Sequence, residues 1–209
     1  MEVRRGAGLL CLAVLIVAGC GRRDPIAEIR PSAEVTTAAG EVETPVVPGW
    51  PWWRGPERNG ISRETGLLAQ WPETGPRLLG QVNDLGDGHA TPGVVGSRLH
   101  LLANRGKDEE YVQDGKPVWT TAIGKVGNPD QQPSYPMARS TPVIDGDVLY
   151  AMGSDGDLVA LDLSTGKIRW KKNVKRDFGG VPGKWAYAEW PLLDGDVLFV
   201  TPGGPEATL

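Results

Sequence analysis

The chain repeats itself about every fifty residues, and that period narrows what it can fold into more than any other feature. "RSTPVIDGDVLYAMGSDGDLVALDLSTGKIRW" (139–170) matches "HATPGVVGSRLHLLANRGKDEEYVQDGKPVW" (89–119), and a third copy opens as "AEWPLLDGDVLFVTPGGPEATL" (188–209). Each copy offers short apolar runs, in copy two Val143-Ile144, Val148–Tyr150, Leu158–Leu161 and Ile168–Trp170. Turn residues separate them: "DGD" (145–147), "GSDGD" (153–157) and "STGK" (164–167). Four short strands joined by tight turns and repeated at this spacing describe one blade of a β-propeller, a unit that buries its faces only by stacking on its neighbours. The expected fold is all-β, a propeller of four-stranded blades near 89–123, 139–174 and 188–209. That makes an incomplete N-terminal portion of about two and a half blades. "GPRLLGQV" (75–82) reads as an outer strand that closes the ring, with Leu79 near the place Trp119 and Trp170 hold in the copies.

Composition agrees with a turn-rich but packed chain: 29 Gly and 18 Pro in 209 residues, yet 40% hydrophobic residues and eight Trp. The net charge of -4, without a basic cluster beyond the N-terminus, argues against nucleic acid as a partner.

The N-terminus reads as an export signal over 1–19. Arg4 and Arg5 precede an apolar run from Leu9 to Ala18, too short for the roughly twenty residues a membrane-spanning helix needs. "VAGC" (17–20) resembles a bacterial lipobox, which would make Cys20 the lipidated mature N-terminus. Residues 20–49, rich in Pro, Ala, Thr and Glu with no sustained period, read as a tether between membrane and propeller (50–209). Cys11 lies inside the signal, so the mature chain keeps one cysteine and no disulfide framework, Cys-based metal site or Cys nucleophile.

"ALDLSTGKIRW" (160–170) resembles the tryptophan-docking motif of the pyrroloquinoline-quinone dehydrogenase propellers. The resemblance gives Ala160, Asp162, Gly166 and Trp170 structural roles: Asp162 caps a turn, Gly166 supplies its conformation, and Trp170 packs between blades. "WPWWRGPERNGIS" (50–62), "GNPDQQPSYPMARSTP" (127–142) and "DFGGVPGKWAYAEWPLLDGDV" (177–197) resemble quinone-propeller-like proteins of planctomycete-type bacteria. The likeness covers about 50–209 and implies about eight blades in a complete protein. It suggests a non-catalytic, lipid-anchored propeller of the cell envelope, similar to the propeller lipoprotein of the barrel-assembly machinery, with an envelope protein as partner and a periplasm-facing position. The alternatives are a carbohydrate- or polymer-binding propeller and a quinone-dependent alcohol or sugar dehydrogenase. Pyrroloquinoline quinone and calcium are disfavoured as cofactors, because the sequence shows neither a vicinal cysteine pair nor acidic groups with ligand spacing.

Other candidates follow from the repeat. His89, Arg139, Ser140 and Glu189 stand at or near the start of each copy and are expected to line one mouth of the channel. Trp185, Tyr187 and Trp190 are loop aromatics suited to stacking on a ligand. His100 takes Tyr150's place and reads as a plain strand residue. The carboxylates at 145, 147, 155 and 157 fall in two separate hairpin turns and read as turn chemistry rather than a metal loop. Copy one has nine residues, "YVQDGKPVW", where copy two has thirteen, so its third strand is expected to be short or slipped in register.

Overall fold

The computed structural model describes residues 49–78, 81–106, 118–130 and 137–205, and the backbone of 109–114. The signal, Cys20, nearly all of the tether and Leu79 lie outside them.

The middle copy forms a four-stranded antiparallel meander, β6 (Val143–Asp145), β7 (Val148–Met152), β8 (Asp157–Asp162) and β9 (Ile168–Asn173), hydrogen-bonded in that order. Asp145 pairs with Val148 across a two-residue turn whose first member, Gly146, has φ 54°, a left-handed conformation that costs an L side chain about 1–2 kcal/mol. Gly96 (φ 58°) and Gly195 (φ 55°) hold the same place in the other two copies. Copy one forms β2 (Gly93–Val95), β3 (Arg98–Arg105), β4 (Glu109–Asp114) and β5 (Thr120–Gly124); copy three contributes β10 (Leu192–Asp194) and β11 (Val197–Phe199). The chain is thus mostly antiparallel sheet, with one five-residue helix, α1 (Val174–Phe178), among the described residues.

Strand alternation explains the core. Leu149, Ala151, Val159 and Leu161 face the first sheet and join Leu102, Trp119 and Ile123 in one buried cluster. Their alternates Met152 and Leu158 face copy three, where they meet Val174 and Tyr187 in a second cluster. A sheet covered on both faces needs near-continuous apolar strands rather than polar alternation. That is why "LVAL" in β8 is buried residue after residue.

Two expectations need correction. The third strand of copy one is not shortened: β4 and β8 are both six residues long. Glu109 and Glu110 of the "KDEE" insertion pair with Arg105 and Asn104, so the insertion rebuilds the start of the strand. The register is nevertheless irregular at a different place in each copy: the shift in β4 falls at Glu110/Tyr111, near the start of the strand, and that in β8 at Ala160/Leu161, near its end. The shortfall appears afterwards, where Trp119 stands just before β5 whereas Trp170 is the third residue of β9. The second correction concerns 75–82: residues 75–78 and 81–82 carry no strand. A strand needs a ladder partner, and the described sheets offer none there. The N-terminal strand that does form is β1 (Gly49–Trp50), paired antiparallel with β2.

Candidate functional site

The docking turn is built almost wholly from its own residues. One Asp162 carboxylate oxygen accepts hydrogen bonds from the backbone N–H groups of Ser164 (3.2 Å) and Thr165 (3.0 Å) and from both hydroxyls (2.7 and 2.8 Å). The other accepts from the Arg169 guanidinium at 2.8 Å, which also reaches Asp147 at 2.6 Å. Arg169 foremost, then the Ser164 and Thr165 bonds, hold the Asp162 carboxyl well below the usual carboxylate range. Gly166 has φ 70°, and a Cβ there would lie 2.4 Å from Cε3 of Trp119. The Trp119 ring, 8% exposed, therefore lies flush on the Gly166 turn of the next sheet, its indole N–H donating to the Leu163 carbonyl at 3.2 Å. Thr121 adds a hydroxyl bond to the Gly166 carbonyl at 2.7 Å. Trp170 itself is 38% exposed and touches the Tyr150 ring at 6.1 Å. The inter-sheet contact visible in this structure is made by Trp119, one copy earlier.

The residues at the start of each copy form a continuous row. The His89 N–H donates to the Ala138 carbonyl at 2.7 Å, beside Arg139, and the buried Ser140 hydroxyl donates to the Glu189 carbonyl at 2.5 Å. Both links span forty-nine residues, so the row follows the repeat. The Glu189 carboxylate accepts the Thr201 N–H at 2.9 Å, and the Arg139 guanidinium lies 5.8 Å from the Trp185 ring centroid. His100 is fully buried beside Trp119, with ring centroids 5.7 Å apart.

The loop aromatics divide. Trp185 (46% exposed) and Trp190 (38% exposed) are accessible. Tyr187 does not belong with them: it is 5% exposed, packs in the second core cluster, and donates its hydroxyl to the Pro202 carbonyl at 2.8 Å. Burial first, then the charges of Glu189 and Asp155, raise its pKa. It follows the left-handed Ala186 (φ 61°), which turns its ring inward while Trp185 stays outside.

Of the hairpin carboxylates, Asp147 pairs with Arg169, Asp155 with Lys175 at 2.5 Å, and the buried Asp157 with Lys171 at 3.1 Å. No group of three or more metal-ligating side chains occurs among the described residues.

Sequence reasoning gave no role to the segment 50–58. Trp52, Trp53, Arg54 and Arg58 line a cleft of about 250 Å³ with Trp190 and Leu193. Trp53 stacks on Trp190 with centroids 4.2 Å apart, and Arg58 lies 4.2 Å over the Trp52 ring. Three Trp within four residues beside two Arg were the available signal.

Residues 107–207 match the sequence profile of the family described as outer membrane protein assembly factor BamB. The BamB of Salmonella typhimurium is 33% identical over 89 residues, which cover 43% of this chain and 20% of that protein, so the match spans about a fifth of the relative's length. Among solved structures, BamB from Moraxella catarrhalis aligns at 19% identity and TM-score 0.39, over 59% of this chain and 35% of that one. The quinohemoprotein alcohol dehydrogenase of Comamonas testosteroni aligns at 20% identity and TM-score 0.37, over 54% of this chain and 17% of that one. With its three copies and their antiparallel sheets, the chain is a partial all-β propeller of pyrroloquinoline-quinone-like repeats, similar to the outer membrane protein assembly factor BamB.

Proposed function

We propose that the chain is the N-terminal part of a lipid-anchored, non-catalytic propeller that serves the cell envelope as an assembly scaffold or protein-binding module. The observation that carries this reading is the use made of the repeat's most conspicuous groups. Asp162 is engaged within its own turn, and Trp119 is seated on the neighbouring one. Such groups hold blades in place and leave the mouth row and the loops to meet a partner. The matched relative, named as an assembly factor for outer-membrane proteins, points the same way. Cys20 would anchor the domain and 20–49 would set its reach.

The test uses the complete reading frame expressed with its own leader in a bacterial host. Wild type is expected in the membrane fraction, with an N-terminal diacylglyceryl-cysteine by mass spectrometry. Calorimetry with pyrroloquinoline quinone and calcium is expected to give no stoichiometric binding. Such binding, or dye-linked alcohol oxidation above a boiled control, would replace the scaffold reading with a dehydrogenase. A second reading, polymer binding, draws support from the exposed Trp185 and Trp190. Soluble glycans that bind wild type but not Trp185→Ala would favour it.

A further inference from the structure

The first strands of successive copies are inner-edge strands: Gly93 of β2 and Ile144 of β6 approach so closely that a Cβ on Gly93 would lie 3.0 Å from Cδ1 of Ile144. An edge strand presents backbone N–H and C=O groups that need partners. Ile144 sits opposite Leu149 in β7, and its own amide and carbonyl are taken by the N-terminal segment. Its N–H donates to the Pro51 carbonyl at 3.3 Å, and its carbonyl accepts the Trp52 indole N–H at 2.8 Å. Pro51 has no N–H to offer, so an indole stands in for a ladder donor.

The same segment meets the equivalent residue in the other two copies. Val94, fifty residues before Ile144, is the ladder partner of Trp50. Leu193, forty-nine after it, has its carbonyl bonded by the Arg58 guanidinium at 2.5 Å. We propose that residues 49–58 are a staple: one segment that crosses three successive blades and fastens each at the same repeat position. Glycine is required at its start, because a Cβ on Gly49 would lie 2.2 Å from the Val94 carbonyl oxygen. Glycine is required again at 55, where φ is 80° and a Cβ would lie 2.7 Å from the Trp50 ring. The Arg58 guanidinium over Trp52 ties the far end back to the middle, and Trp53 on Trp190 adds a second hold on the approach to β10.

The staple also fills the inner edge. An extended peptide could otherwise join β6 there by strand addition, so the partner surface of this propeller lies elsewhere, on the mouth row and the outer loops. This consequence rests on the scaffold reading; the staple itself does not.

The test is hydrogen exchange at the Ile144 amide, together with trypsin cleavage after Arg54 and Arg58, in the complete protein. Trp52→Phe keeps an aromatic ring and removes the donor; Arg58→Met keeps an unbranched apolar stem and removes the bond to Leu193. Neither disturbs the blade cores, so folding is retained. Each is expected to speed Ile144 exchange about tenfold, the scale of one lost hydrogen bond, and to raise cleavage after Arg54; Trp52→Phe should raise cleavage after Arg58 as well, a site that Arg58→Met removes. Gly49→Ala should do the same from the other end. If Arg58→Met left Ile144 exchange and cleavage at Arg54 unchanged, the three contacts would be independent and the staple would be overturned.

Discussion

The seat of Trp119 on the Gly166 turn gives the sharpest quantitative expectation. Replacing Gly166 by Ala has two costs. At φ 70° the new Cβ meets the left-handed penalty, about 1–2 kcal/mol. It also enters space already filled, at 2.4 and 2.5 Å from Trp119 ring carbons and 2.8 Å from the Thr121 hydroxyl. Overpacking of this kind costs about 1–3 kcal/mol, so the total is about 2–5 kcal/mol. Gly146→Ala is the matched control. Its φ is 54° and nothing lies within 4 Å of its Cβ, so it has the backbone cost alone. The loss of unfolded-chain entropy is common to both substitutions and cancels in the difference.

Urea unfolding of the complete protein, followed by circular dichroism, gives both values. The excess for Gly166→Ala over Gly146→Ala is expected to be about 1–3 kcal/mol. A double-mutant cycle then assigns it. In a Trp119→Leu background, which empties most of the occupied space, the Gly166→Ala cost should fall toward the control value, giving a coupling of about 0.5–3 kcal/mol. Equal costs for the two glycines, or no coupling to Trp119, would refute the inter-sheet seat and reduce Gly166 to an ordinary turn glycine.

Further expectations follow from the same geometry. Asp162 has a lowered pKa, so the stability it contributes is present above the unfolded value of about 3.9 and is lost as pH falls below it; Asp162→Asn should flatten the acid limb of stability against pH and leave the neutral region parallel to wild type. Trp119→Ala should cost about 3–5 kcal/mol, and Trp170→Ala clearly less in chain 1–209, since its ring is half-buried; equal losses in urea unfolding would contradict the burial difference. Cys20→Ser should move the protein from the membrane to the soluble fraction, and an unmodified, soluble wild type would remove the anchor from the proposed function.

What the sequence made legible and what it hid follow one physical division. Strand alternation, Gly-containing turns and the Asp162 cap are local: their partners lie within a few residues, so a repeat aligned on itself exposes them. The role of Trp119 needed one more step, because the docking ring and the turn it covers belong to different copies, 44 residues apart for the Leu163 bond. Trp170 carries the more complete motif and drew attention for that reason, while Trp119, set in the shorter copy, makes the contact. Tyr187 was misjudged because "GKWAYAEW" shows three aromatics but not the left-handed Ala186 that turns the middle one inward. The staple was hidden most deeply. "WPWWRGPERNG" has no copy elsewhere in the chain, so no internal comparison could mark it. Its partners Val94, Ile144 and Leu193 contribute backbone groups, which any residue but proline would offer. A segment that binds the repeat through what all copies share leaves its signal only in itself, as a run of Trp and Arg between two glycines that cannot be replaced.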